Sequence, residues 1–203
     1  MKLKLTALAA ALLMLAVPFA NAATNVALGG AVTTSGTGFG VSDGWGVGVL
    51  ADGSSLTDGV FLPVGQQWNI GTVYWQGDVP DTSDVITITL AQAATVDSLH
   101  LEGDNNDAYS VSYRDLGGVW HALATIDPNT NSGWGLGDGF ASFASVSATA
   151  FQITATGGDS SYAVSEFQAD GTVIPSVPEP ANVLLLAAGL GVMGLVARRR
   201  RPR

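Results

Sequence analysis

Between residues 23 and 174, apolar and polar positions alternate in short runs, and almost nothing in this stretch keeps a helical period. Val85-Ile86-Thr87-Ile88-Thr89-Leu90 alternates with period two, and so does Tyr109-Ser110-Val111-Ser112-Tyr113. Val96 to Leu101 and Ala163 to Ala169 follow the pattern less strictly, and Phe151-Gln152-Ile153-Thr154 continues it. In a strand, successive side chains point to opposite faces, so this spacing predicts β-strands with one face buried. Asp115-Leu116-Gly117-Gly118, set between Tyr113 and Val119-Trp120-His121-Ala122-Leu123, reads as a hairpin turn. Many short strands with frequent turn residues predict an all-β sandwich. Residues 33–59, rich in Gly, Ser and Thr, read as long loops carrying one or two strands, and no internal repeat is visible.

The two ends break this pattern. Lys2 and Lys4 precede the apolar run Leu5 to Val17, then Pro18 and Ala20-Asn21-Ala22. That order is a secretory signal peptide over 1–22, cut by signal peptidase after Ala22. The run makes roughly 20 Å of helix, short of a hydrocarbon core about 30 Å thick, which argues against a first membrane span. Residues 181–197 carry no charge, and Arg198, Arg199, Arg200 and Arg201 follow at once. This predicts a single transmembrane helix with the arginines as its cytoplasmic stop and everything before it outside. Residues 175–180 form a stiff proline-rich linker, so the β-sandwich ectodomain is expected over 23–174.

With both ends removed, charge changes the picture. From Ala23 to Ser176 there are 16 acidic residues and one basic residue, Arg114, a net charge of about −15. Such a surface repels nucleic acid and anionic lipid, so DNA binding is excluded. The chain has no cysteine, which removes disulfides, thiol nucleophiles and thiolate metal sites.

Two independent family resemblances follow. Val177-Pro178-Glu179-Pro180, an apolar span and an arginine cluster together resemble the PEP-CTERM sorting signal. That resemblance implies recognition by an exosortase-type transpeptidase in a Gram-negative-type bacterium that makes exopolysaccharide. A permanent membrane anchor is the alternative. The ectodomain resembles the discoidin or coagulation factor 5/8 type C family. The resemblance is carried by Asn25-Val26-Ala27-Leu28-Gly29, Leu56-Thr57-Asp58-Gly59, the strands above, Gly118-Val119-Trp120 and Ser165-Glu166-Phe167-Gln168. It implies a galactose-binding-like jelly-roll β-sandwich and a structural calcium ion, with Asp58 and Glu166 as its carboxylates. Calcium takes six to eight hard oxygens, and a glycine-flanked turn supplies carbonyls. Otherwise Asp58 merely stabilises a turn and Glu166 is solvated.

Gly103-Asp104-Asn105-Asn106-Asp107 is the densest polar cluster. As an EF-hand it fails, because the position needing glycine is Tyr109, so it reads as a turn between strands. Trp120, Trp68 and Trp75 are expected in the core. Trp45 and Trp134 sit in glycine-rich loops and are candidates either for stacking on sugar or for anchoring loops. His100 and His121 lie in separate strands with no partner nominated. No Gly-x-Ser-x-Gly or His-Glu-x-x-His motif is present. Gly189 to Gly194 mimics a dinucleotide loop but reads as small-residue packing within the span. The expectation is a non-catalytic envelope or extracellular-matrix protein whose sandwich binds exopolysaccharide or another glycan. A structural or adhesive protein that binds another protein is the alternative.

Overall fold

The computed structural model describes residues 24–129, 134–175 and 187–190. The expected signal peptide, the Val177–Pro180 motif, Arg198–Arg201 and all of the expected 181–197 span except 187–190 lie outside the described residues. Residues 187–190 are helical, and no helix among the described residues is long and apolar enough to cross a membrane. The chain divides after Val173 into two units.

The first unit carries β1 (Thr24–Asn25), β2 (Ala31–Ser35), β3 (Val49–Leu50), β4 (Ile70–Gln76), β5 (Asp81–Asp104), β6 (Ala108–Arg114), β7 (Trp120–Ile126), β8 (Leu136–Gly157) and β9 (Ser161–Val173). β5 and β8 run for 24 and 22 residues, far beyond the usual five or six. Their pairing shifts register between Thr89 and Ala94 and again between Val96 and Ser98. Such irregularities bend a strand, and each long strand therefore serves two layers.

In the first layer the front half of β5 pairs with β2 (Val32 opposite Ile88) and with the back half of β8 (Ile86 opposite Ile153). β6 and β7 extend that layer beyond β8. In the second layer the back half of β5 lies between the front half of β8 (Leu101 opposite Gly139) and β9 (Leu101 opposite Phe167). β4 and β3 continue it past β9, and among the described strands only the β3–β4 pair is parallel.

The alternation explains the packing. Ile86, Ile88, Leu99, Leu101, Val111, Phe151 and Ile153 all point inward and are buried. Phe151 meets Phe167 at 5.3 Å between ring centroids and Trp75 meets Tyr109 at 6.1 Å, each pair joining the two layers. Burying each such side chain stabilises by roughly 1.5–3 kcal/mol. The all-β sandwich expected from the pattern is therefore present, and Trp68 and Trp75 are core residues.

Trp120 is not. It is 36% exposed, because β7 ends its layer and buries only Ile126 of its seven residues. Its indole instead carries the Arg114 guanidinium at 5.7 Å. The Asp115–Gly118 turn forms as expected. The Asp115 amide donates to the Val119 carbonyl at 2.9 Å, and Asp115 Oδ1 accepts from the Gly117 and Val119 amides. Gly118 takes the φ of +85° that this turn requires.

Candidate functional site

The Asp58 turn lies over the outer face of the β5–β9 pair. A 3₁₀ turn, Gly53–Thr57, is capped by Asp52 and ends at Asp58. Thr57 is tied to the Gly29-Gly30 turn: its carbonyl accepts from the Gly29 amide at 2.7 Å, and its hydroxyl donates to the Gly30 carbonyl at 3.0 Å. Gly59, at φ +81°, then redirects the chain. Asp58 is exposed and accepts from the Val60 amide at 2.8 Å. Farther along, the Leu62 amide donates to Glu102 Oε2 at 2.9 Å, fastening this segment to β5.

Glu102 stands directly opposite Glu166 on β9, and both are buried. Glu102 Oε2 also accepts from the Ser165 hydroxyl at 2.6 Å. Glu166 Oε1 accepts from Gln168 at 3.2 Å, whereas Oε2 is buried without a hydrogen-bond partner. Burial pushes the Glu166 carboxyl up to about 7; Asp58 and Glu102 add repulsion, and Gln168 and the Gly59 amide oppose it. Burial also raises Glu102, against the Ser165 and Leu62 hydrogen bonds. The solvated alternative for Glu166 is thus overturned, because the 58–62 segment roofs the strand.

The structure brings the two carboxylates named from resemblance into electrostatic reach and adds Glu102 beside them. These residues fit a calcium ion in donor type, since Glu166 Oε2 is a buried oxygen lacking a counter-charge. Among the described residues no group of three or more acidic or histidine side chains converges as metal ligands. Most of any shell would therefore come from main-chain carbonyls and water.

Trp45 and Trp134 border one turn. The Gln67 side-chain amide donates to the Trp45 carbonyl at 3.3 Å, and the Trp45 ring meets the buried Trp68 edge-on at 6.2 Å. On the other sequence segment, Leu136 and Gly65–Gln66 exchange backbone hydrogen bonds of 2.9 and 3.0 Å. Gly135, at φ +92°, comes so close that an added Cβ would meet the Gln66 carbonyl at 2.4 Å. The Gly65–Trp68 turn thus meets the chain beside each indole, at the Trp45 carbonyl and at Gly135–Leu136, while Trp45 stays 41% and Trp134 74% exposed. Trp45 is half anchor and half surface; Trp134 is surface.

The Asp104–Asp107 turn between β5 and β6 meets the β8–β9 turn. Asn106 donates to Asp159 at 3.0 Å, and Asp107 accepts from the Tyr109 hydroxyl at 3.2 Å and the Asp159 amide at 3.4 Å. Burial pushes Asp104 up to about 7 and Asp107 up to about 8, with repulsion among the aspartates adding to both.

The family model of the PEP-CTERM protein-sorting motif matches residues 176–201, and the chain carries that motif. It implies an exported, membrane-associated protein. No curated protein sequence matches the chain. Its structural neighbours are carbohydrate-binding modules of the discoidin or galactose-binding-like type. The lectin domain of lectinolysin complexed with Lewis B antigen is 12% identical with a TM-score of 0.48, covering 76% of this chain and 98% of that one. A Streptococcus pneumoniae fucose binding module is 14% identical at 0.47, covering 72% and 94%. A chitosan-binding module from a Paenibacillus sp. IK-5 chitosanase/glucanase is 21% identical at 0.45, covering 72% and 98%. The likeness to SpGH29 spans 28% of that longer chain. All are loose likenesses, with TM-scores below 0.5.

Proposed function

We propose that this chain is an exported, non-catalytic glycan-binding protein of the cell envelope or extracellular matrix, delivered through its PEP-CTERM tail. The observation that carries the reading is the pair of exposed indoles bordering the Gly65–Trp68 turn, above all Trp134, which is 74% exposed. An exposed indole offers a wide, rigid apolar face to the C–H side of a sugar, and only two torsions need ordering when it stacks. The sorting motif at 176–201 supports delivery outside the cytoplasm, and an exosortase-type transpeptidase is the partner for Val177–Pro180. The span is the route by which the chain meets the membrane.

Calcium, held by Asp58 and Glu166 with main-chain oxygens, has a structural role in this reading. It neutralises the buried Glu166 oxygen and ties the 58–62 segment to β9. The test is electrophoresis through gels cast with polysaccharide from the producing cells, run with calcium and with chelator. The wild type is retarded, and the Trp45→Ala, Trp134→Ala double variant is retarded clearly less. Free migration of the wild type at all polysaccharide loadings would sink the proposal.

A further inference from the structure

Outside the tryptophan turn, the outer face of the β8–β5–β9 layer carries a second set of exposed aromatics. The register aligns Phe140, His100 and Gln168 in one row across the three strands. The inner side of the same segment buries Leu99, Leu101 and Phe167, so the row faces away from the core. His100 lies between two phenyl rings, 4.2 Å from Phe140 and 4.5 Å from Phe61, with interplanar angles of 25° and 23°. Its Nε2 is 2.7 Å from Asp138 Oδ1. Three rings are thus stacked in a column, and a carboxylate locks the middle one against rotation.

Phe140 ends this column and is 65% exposed. A phenylalanine in the middle of a polar strand face gains nothing for folding from the side left in water. It does gain a fixed orientation from the stack behind it. On the same strand and the same face stand Asp138 and Ser142, two residues to either side: a carboxylate and a hydroxyl beside a flat apolar surface. A pyranose ring presents the complement, with C–H groups on one face and hydroxyl donors at its rim.

Charge narrows the ligand further. The ectodomain has 16 acidic residues and a single basic one, Arg114, which lies over Trp120 on the β6–β7 hairpin. Uronate or sulfate groups would be repelled at this face, and a protonated amino sugar would be attracted both by Asp138 and by the Phe140 ring.

We infer that the Phe140–His100–Phe61 stack is a second glycan contact, taking pyranose units free of anionic groups and taking amino sugars best. The inference rests on the glycan-binding reading above but assigns a different surface and a ligand charge. Titration calorimetry of the full-length protein in nonionic detergent tests it, with glucosamine, N-acetylglucosamine and galacturonate hexamers as probes. The glucosamine hexamer is expected to bind most tightly and the galacturonate hexamer not at all. Phe140→Ala should weaken the glucosamine hexamer about tenfold, and Phe140→Tyr, which keeps a ring, should restore most of it. Unchanged binding by Phe140→Ala, with loss in Trp134→Ala, would overturn this site while leaving the glycan-binding reading intact. Galacturonate bound as tightly as glucosamine would overturn the ligand assignment. Silence from all three hexamers would overturn the inference, and polysaccharide retardation would still decide the wider reading.

Discussion

Asp107→Asn should stabilise this protein at neutral pH and leave it nearly unchanged at pH 5. Asp107 is 2% exposed, and burial, helped by repulsion from Asp104 and Asp159, holds its carboxyl up to about 8. In the unfolded chain the group returns to the ordinary aspartate range, about 3.9. Between those values the native state binds a proton that the unfolded state has lost, so stability falls as pH rises. Each pH unit costs about 1.4 kcal/mol for this one group. From pH 5 to pH 7 the loss is about 3 kcal/mol. Asparagine carries no charge at either pH and keeps an oxygen for the Tyr109 hydroxyl, though it weakens the 3.4 Å contact with the Asp159 amide, a loss of about 1 kcal/mol. Ionisation of the unfolded chain costs the wild type about 1.5 kcal/mol by pH 5 and about 4 kcal/mol by pH 7, so the variant should roughly match it at pH 5 and exceed it by about 3 kcal/mol at pH 7. Urea unfolding followed by tryptophan fluorescence in EDTA at pH 5, 6 and 7 measures both proteins. Parallel pH profiles, or a variant weaker than the wild type at pH 7, would mean that Asp107 does not hold its proton in the folded state.

Glu166→Gln makes a related case. Without calcium it should flatten the loss of stability between about pH 5 and pH 7, because Glu166 is raised to about 7 and contributes least once ionised. It should also abolish any calcium-induced rise in Tm, which for the wild type at a hundredfold excess over Kd corresponds to about 3 kcal/mol. Trp75→Ala removes a fully buried ring that packs on Phe39, Tyr109 and Tyr162. Chemical denaturation should report a loss of about 3–5 kcal/mol.

The strands legible in the sequence are those with one wet face. Val85 to Leu90 alternates because Thr89 and its neighbours look outward from the first layer while Ile86, Ile88 and Leu90 look inward. β4 escaped notice for the opposite reason: Thr72 to Trp75 are buried in succession, and a strand covered on both sides does not alternate. β9 is likewise buried without a break from Ser161 to Phe167, which is why Ala163 to Ala169 alternates only loosely. The front half of β8, built from Gly, Ala and Ser around Phe140 and Phe143, has too little apolar contrast to announce a strand. Trp120 was misplaced because period two tells which face a residue takes, not whether its strand lies at an edge. Asp58 and Glu166 were reachable only through family resemblance. Glu102 was hidden, since the Leu62 amide that covers it comes from 40 residues away in sequence.

The central claim is that a sorted β-sandwich holds glycan outside the cell. Its most direct test is the amount of protein retained on washed polysaccharide of the producing cells, with the wild type and the Trp45→Ala, Trp134→Ala double variant expressed at equal levels. The wild type should stay with the polysaccharide, and a larger share of the variant should appear in the wash. Equal retention of both, or recovery of the wild type entirely in the wash, would contradict it.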